Sequence, residues 1–333
     1  MRKRGFAVDK CEYRRKKKKK QDLRTLIFVF AIVFVFFGLE ALVGWFSGIG
    51  SWMDEMKKPV VKELDLSGIN SPYASLIQAR NGRAVGEING EQKMYPASLT
   101  KMMTCLVAIE EIRNLNKEIT LTQEMFAGLY EQNATQAGFQ PGETVRAVDL
   151  IYGVLLPSGA ECCIALADYI SGSEEAFVEL MNKKAAKIGM ENTHFCDSTG
   201  LHNPEHYSTV LDMAVLLKYG LRNDTFREVI EAPRHSTGVT NIHPDGITYY
   251  STMFKNLPSA AVAGGEIKGG KTGYTSEAGL CLASFAEIED REYILVTAGA
   301  PGGSGAAGHV QDAVEIYNRL GEKILSMENN SDT

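Results

Sequence analysis

Apolar positions along this chain follow three different patterns. Between residues 26 and 46 they are almost continuous, "LIFVFAIVFVFFGLEALVGWF", with Glu40 the one charge. From residue 73 they alternate with polar positions through "YASLIQAR", break at the turn pair Asn81-Gly82, and resume in "RAVGEI" before a second Asn-Gly at 89–90, which predicts a β-hairpin. From about 117 to 230 the spacing changes to three and four, in "AVDLIYGVLL", "CCIALADYI", "EEAFVELMNKKAAKIG" and "VLDMAVLLKYGL", which predicts helices separated by short polar or Gly/Pro segments. Strand-like text returns in "EIKGGKTGYT", "AGLCLASFAEI" and "EYILVTAGA", and an amphipathic helix over roughly 309–326 closes the pattern. Residues 47–72 hold no sustained period and two prolines, as a tether does. Strands at both ends with helices between them predict an α+β domain. Its five-stranded antiparallel sheet would join the first hairpin to the last three strands, flanked by helices and a helical lobe, with a site between the lobes.

Charge changes the reading of the N-terminal end. Residues 1–25 carry twelve Lys or Arg against Asp9, Glu12 and Asp22, a net +9, which leaves −15 for the rest of a chain whose net charge is −6. A run such as "RRKKKKK" suits nucleic acid in isolation. Followed at once by an apolar segment that reaches roughly 30 Å as a helix, it suits a cytoplasmic flank under the positive-inside rule, and no nucleic-acid partner is expected. The segment is longer than the roughly 7–15 residues of a signal-peptide core, so an uncleaved single-pass anchor is expected, with the remaining domain outside the cytoplasm. Five cysteines, Cys105, Cys162, Cys163, Cys196 and Cys281, then lie in that domain. Their apolar or small neighbours and the lack of metal-ligand spacing mark them mostly as small buried residues, with room for one unassigned disulfide and no metal.

Candidate chemistry sits in three short stretches, "SLTK" at 98, "PSGAE" at 157 and "GGKTGYT" at 269. Taken singly each has an ordinary reading. Ser98 after Pro96 is a good start for the apolar helix that follows, Ser158-Gly159 is a common turn, and Lys271 fits a strand edge. Taken in order they supply two hydroxyls and two amines. In this combination the chain resembles the serine-type D-alanyl-D-alanine carboxypeptidases, low-molecular-weight penicillin-binding proteins whose signatures are Ser-x-x-Lys, Ser-x-Asn and Lys-Thr-Gly. The likeness runs from about residue 73 to the final helix and includes "AGFQPGETV" (137–145), "FCDSTGLHNPEHYST" (195–209) and "GGKTGYTSEAGLCLAS" (269–284).

The resemblance implies a penicillin-binding-protein-like fold, no cofactor, and hydrolysis of the terminal D-Ala-D-Ala bond of peptidoglycan stem peptides through an acyl-Ser98 intermediate. β-Lactams would acylate the same serine. A serine hydroxyl needs a neighbouring base. Lys101, three residues on and on the same face, fills that role as a neutral amine, a state expected from burial and the nearby Lys271. The resemblance further implies an oxyanion hole from the N–H groups of Ser98 and Tyr274, and proton delivery to the leaving D-alanine by Ser158. Lys271 and Thr272 would receive the terminal carboxylate, and Gly273 would let the strand approach the substrate. One position departs from the family pattern: Ala160 stands where Ser-x-Asn has its asparagine, followed by Glu161. The expected organisation is a basic tail at 1–25, an anchor at 26–46, a linker at 47–72, the catalytic domain at 73–328 and a tail at 329–333. A β-rich domain and amphipathic anchor, common after this catalytic domain, are not evident before Thr333, so the N-terminal helix is expected to serve as the anchor.

Other functions fit less well. "HNPEH" at 202–206 matches a metallopeptidase pattern, but Pro204 breaks the helix that would bring both histidines to one metal. A class A β-lactamase would have a glutamate where Ile112 precedes Leu115-Asn116. A D,D-transpeptidase shares the acyl-enzyme and differs only in its acceptor. A non-catalytic wall-sensing module would not need Ser98, Lys101, Ser158 and Lys271 together.

Overall fold

The computed structural model describes residues 60–303 and 307–331. The basic tail, the anchor expected at 26–46 and the first part of the linker lie outside the described residues. Among those described, no helix is long and apolar enough to cross a membrane.

Strands β1 (Tyr73–Gln78) and β2 (Ala84–Ile88) form the hairpin about Asn81-Gly82. The chain then enters a 3₁₀ turn at Ala97–Thr100 and helix α1 (Lys101–Glu111). Short strands β3 (Glu118–Thr120) and β4 (Thr144–Arg146) pair antiparallel. Helices α2 (Ala147–Leu155), α3 (Ala160–Ser171), α4 (Glu174–Ile188), α5 (Val210–Gly220) and α6 (Asp224–Glu231) follow. A second ribbon, β5 (Arg234–Ser236) with β6 (Thr248–Tyr250), leads into the one-turn helix α7 (Thr252–Asn256). The chain finishes with β7 (Ala261–Val262), β8 (Gly265–Thr275), β9 (Gly279–Ile288), β10 (Arg291–Ala300) and helix α8 (Gly308–Ser331).

The main sheet is antiparallel in the order β2-β1-β10-β9-β8-β7. The expected union of the first hairpin with the last three strands is present, with Leu76 opposite Leu295 and Thr272 opposite Leu282. The sheet has six strands, not five. The sixth, β7, is two residues long and turns back onto β8 through Gly264 (φ +72°), too short to show an alternation in sequence.

Residues 60–72 also differ from the expected tether. Val61, Leu64 and Leu66 are buried against the sheet, and Leu64 N–H donates to Val85 O. The Asp312 carboxylate on α8 accepts from the N–H groups of Asn70 and Ser71. Asp312 is some 240 residues away in sequence, so no local pattern discloses that contact.

One face of the sheet carries α8, whose Val310, Ala313, Ile316, Tyr317, Leu320 and Ile324 recur at helical spacing and are buried with Leu76, Leu282 and Leu295. The other face meets the helical lobe, and α1 is buried from Lys101 to Ala108 at its centre. Such a helix has no solvated stripe because helices cover it on every side. All five cysteines of the domain are free thiols, four of them buried, so the disulfide allowed for in sequence is absent.

Candidate active site

Ser98 does not cap a helix through its side chain. It sits in the 3₁₀ turn ahead of α1, in which residues three apart eclipse, and Lys101 Nζ donates to Ser98 Oγ at 3.2 Å. A second bond runs from Lys101 Nζ to Thr199 O at 2.6 Å. The turn is held in an unusual shape: Ala97 has φ +48°, a conformation that costs an alanine of order 1 kcal/mol. Two glycines press it into place. A Cβ on Gly200 (φ +80°) would stand 1.9 Å from Ala97 O, and one on Gly273 would stand 3.0 Å from Ser98 N. Gly273 therefore lets β8 run directly against the backbone of Ser98.

Ser158 lies in the tight connection between α2 and α3, also left-handed (φ +72°), and is 6% exposed. Its turn is fastened by Gly159 N–H to Gly153 O and by Ala160 N–H to Thr135 O, each 2.8 Å. From the middle of β8, Lys271 Nζ donates to Ser158 Oγ at 3.0 Å and to Thr272 O at 2.7 Å. Lys101 and Lys271 are 3% and 1% exposed, and among the described residues neither has a carboxylate partner. Burial, reinforced by the charge of Lys101, holds the Lys271 amine well below its ordinary 10.5.

Thr272 and Thr252 share a hydroxyl–hydroxyl bond of 2.6 Å, and Thr252 N–H donates to Leu156 O. Tyr274, two positions beyond Thr272, is 39% exposed. All seven residues singled out in sequence thus fall on the turn, α1, the α2–α3 connection or β8. Ala160 opens α3, 1% exposed and with no side-chain amide to offer. Glu161 does not replace one. Its Oε1 accepts from Ala137 N–H (2.6 Å) and Gly138 N–H (2.9 Å), tying down the neighbouring loop, and burial raises its pKa.

Sequence reasoning missed a second layer. Asp197 Oδ1 accepts from the N–H groups of Thr199 (2.7 Å) and Gly200 (2.6 Å) and from Thr199 Oγ1 (2.8 Å), while Oδ2 pairs with His206 Nδ1 at 3.1 Å. His206 Nε2 bonds Thr100 Oγ1 at 2.9 Å. Asp197 and His206 therefore brace both the carbonyl that holds Lys101 and the turn that carries Ser98. Burial opposes ionisation of Asp197, but the His206 and Thr199 bonds prevail and hold it at about 2. The two histidines of "HNPEH" diverge: His206 is buried in this network, whereas His202 packs edge-on against Tyr95. The "FCDSTGLHNPEHYST" likeness was the available signal, but only the fold brings Asp197 to His206.

Comparisons with known proteins agree with this geometry. Residues 60–302 match the model of the D-alanyl-D-alanine carboxypeptidase family, peptidase family S11. The chain is 30% identical over 227 residues to the D-alanyl-D-alanine carboxypeptidase DacF of Bacillus subtilis, covering 68% of this chain and 57% of that protein. It is 32% identical over 233 residues to DacC of Escherichia coli, covering 68% and 55%. The chain thus spans little more than half the length of these curated relatives. A serine-to-alanine mutant of the Streptomyces K15 DD-transpeptidase superposes with a TM-score of 0.68 at 25% identity, over 75% of this chain and 97% of that one. A fold shared with a solved DD-transpeptidase, a family model spanning the whole described sheet up to Gly302, and two Ser–Lys pairs meeting beside β8 lead to one assignment: the chain belongs to the D-alanyl-D-alanine carboxypeptidase family S11.

Proposed function

We propose that this protein is a serine D,D-carboxypeptidase that removes the terminal D-alanine from peptidoglycan stem peptides and is acylated by β-lactams. The observation that carries the reading is the pair of amine–hydroxyl contacts, Lys101 to Ser98 and Lys271 to Ser158, in a buried site beside one strand. Ser98 Oγ attacks the carbonyl carbon of the penultimate D-alanine while its proton passes to Lys101 Nζ. The oxyanion forms against the N–H groups of Ser98 and Tyr274, which the close packing of Gly273 on the turn supports. Collapse breaks the C–N bond, and the departing amine takes a proton through Ser158. Water then hydrolyses the acyl-Ser98 ester and restores the hydroxyl.

The arriving carboxylate has a particular role. It brings negative charge to the Lys271–Thr272 end of β8, where burial disfavours the charged form of the Lys271 amine and a carboxylate partner favours it. Substrate binding thus completes the charge pattern that the empty site resists. Ala160 leaves the stem-peptide amide without the usual asparagine partner, so β8 backbone carries more of the hold on substrate.

Transpeptidation uses the same acyl-enzyme with an amine in place of water, and the similarity to the K15 DD-transpeptidase keeps it as the second reading. Intact-protein mass spectrometry after benzylpenicillin, with D-alanine release from a D-Ala-D-Ala peptide, tests the first. An adduct and release are expected; an adduct without release would favour the transpeptidase, and no adduct would refute both. The apolar segment 26–46, flanked by its basic tail, is our basis for placing the domain outside the cell membrane on a single-pass anchor. Protease accessibility of the domain on intact spheroplasts checks that placement.

A further inference from the structure

Among the described residues Glu161 is fully buried, makes no salt bridge, and leaves Oε2 without a hydrogen-bond partner. A carboxyl in that state costs stability, and burial raises its pKa accordingly. What it holds is the loop 134–140, which belongs to neither a helix nor a strand. Its Oε1 accepts from the Ala137 and Gly138 N–H groups at 2.6 Å and 2.9 Å, which gives that stretch a fixed place.

The loop in turn lies against the connection that carries Ser158. Ala160 N–H donates to Thr135 O at 2.8 Å. A Cβ added at Gly159 would stand 2.7 Å from Ala137 Cβ and 3.0 Å from Gly153 O, so the Ala137 methyl and the last turn of α2 enclose Gly159 from two sides. Ser158, the residue just before, holds φ +72°, a conformation that a serine keeps where its surroundings impose it. On that side the surroundings are the loop, and Glu161 fixes the loop. Among the described residues no hydrogen bond joins the Glu161 carboxyl to Ser158 or Lys271, so its reach into the site runs through residues 135–138.

We propose that Glu161 is a positioning residue for proton delivery: its carboxyl clamps the loop onto Gly159 and so holds the Ser158 hydroxyl at Lys271, where it meets the leaving nitrogen. The role of Ser158 rests on the carboxypeptidase reading. In that reading the C–N bond breaks as the nitrogen takes the Ser158 proton, and the proton that Ser98 gave to Lys101 restores the Ser158 hydroxyl. Drift of the donor by an ångström costs such a step about 10²-fold. A thiolate leaves without a proton and is indifferent to that drift.

The test, on the full chain, compares Nα,Nε-diacetyl-L-lysyl-D-Ala-D-Ala with the thioester that has D-2-mercaptopropionate in place of the last residue. Acyl part and carboxylate are shared, and only the leaving atom differs. Glu161→Ala is expected to lower kcat/KM about 10²-fold for the amide and less than about threefold for the thioester. Glu161→Gln keeps an oxygen for both N–H groups and should bring the amide back to within about threefold of the unmutated protein. Hydrogen exchange in Glu161→Ala should quicken over both 135–139 and 158–160. Equal losses for amide and thioester, or faster exchange in the loop alone, would overturn the positioning role. Ala137→Gly leaves the carboxyl in place and removes the methyl on Gly159. The same selective loss in smaller measure is expected there, and its absence would overturn the proposal even if Glu161→Ala does not fold. An unmutated protein that turns over neither substrate would refute the carboxypeptidase reading. Exchange at 158–160 then decides the clamp alone: quickened in Glu161→Ala, it stands, and unchanged, it falls.

Discussion

The two faces of the six-stranded sheet are built from the same strands under different rules. Beneath α8, Leu76, Leu282 and Leu295 meet Val310, Ile316 and Leu320, and polar contacts there include Tyr317 with Ser284 and Asp312 with Ser71, while Thr297 Oγ1 and His309 Nδ1 are buried with no hydrogen-bond partner among the described residues. On the opposite face two amines are buried without carboxylates, and Ala97 and Ser158 hold left-handed backbone conformations. The first arrangement is what an unconstrained core reaches. The second is retained only because surrounding packing enforces it, which marks strain and desolvated charge as the work of the site rather than of the fold.

Four changes would break or sharpen that contrast. Ser98→Ala has the largest expected effect. Penicillin acylation and D-alanine release should fall by at least about 10⁴-fold with Tm nearly unchanged, as intact-mass and calorimetric measurements would show. Substantial residual acylation would place the nucleophile elsewhere.

Leu320→Ala, on the other face, should reverse the pattern. Emptying a fully buried leucine site costs about 3 kcal/mol and lowers Tm by roughly 6–12 °C, while the acylation rate below the transition stays as it was. A rate change of tenfold would mean that the two faces are coupled through the sheet.

Lys271→Met should separate stability from activity within one residue. Acylation falls about 10²-fold, yet Tm rises by about 2–4 °C, because roughly 1 kcal/mol of burial cost is relieved. The sign follows from the depressed amine: between its folded value and the ordinary 10.5 the unfolded chain binds a proton that the folded protein does not, so native stability climbs with pH across that window. The variant should lack this climb. A lower Tm in the variant would show the amine to be stabilising.

Asp197→Asn is expected to have the smallest effect and to touch both properties. Acylation slows about tenfold as Thr199 O and the Ser98 turn lose their brace. Stability at neutral pH drops by about 2 kcal/mol, since a carboxylate held at about 2 against an ordinary 3.8 stabilises the fold above pH 4 and loses that contribution as pH falls toward 2. Melting curves of the two proteins should therefore converge at pH 2. A gap that persists there would assign the loss to packing instead of charge.

Much of this was legible in sequence because local periods carry local information. The hairpin at Asn81-Gly82, the last three long strands and the buried face of α8 all follow from alternation or helical spacing. The short elements were not. Strand β7 and the two three-residue ribbons repeat nothing, and residues 60–72 read as tether because the carboxylate that bonds Asn70 and Ser71 comes from the other end of the chain.

The division is similar at the site. The motifs that carry the family resemblance pointed to Ser98, Lys101, Ser158 and Lys271, and helical spacing agreed for Ser98 and Lys101, since a hydroxyl and an amine three apart in a helical turn share a face. That Lys271 meets Ser158, 113 residues away, that Asp197 and His206 brace the turn of Ser98, that Thr252 holds Thr272, and that Glu161 bonds Ala137 and Gly138 instead of standing in for an amide at Ala160 were decided only by tertiary structure. A residue's type and its near neighbours set what chemistry it can offer; burial and long-range contacts, which no local pattern encodes, set which proton it holds and whom it meets.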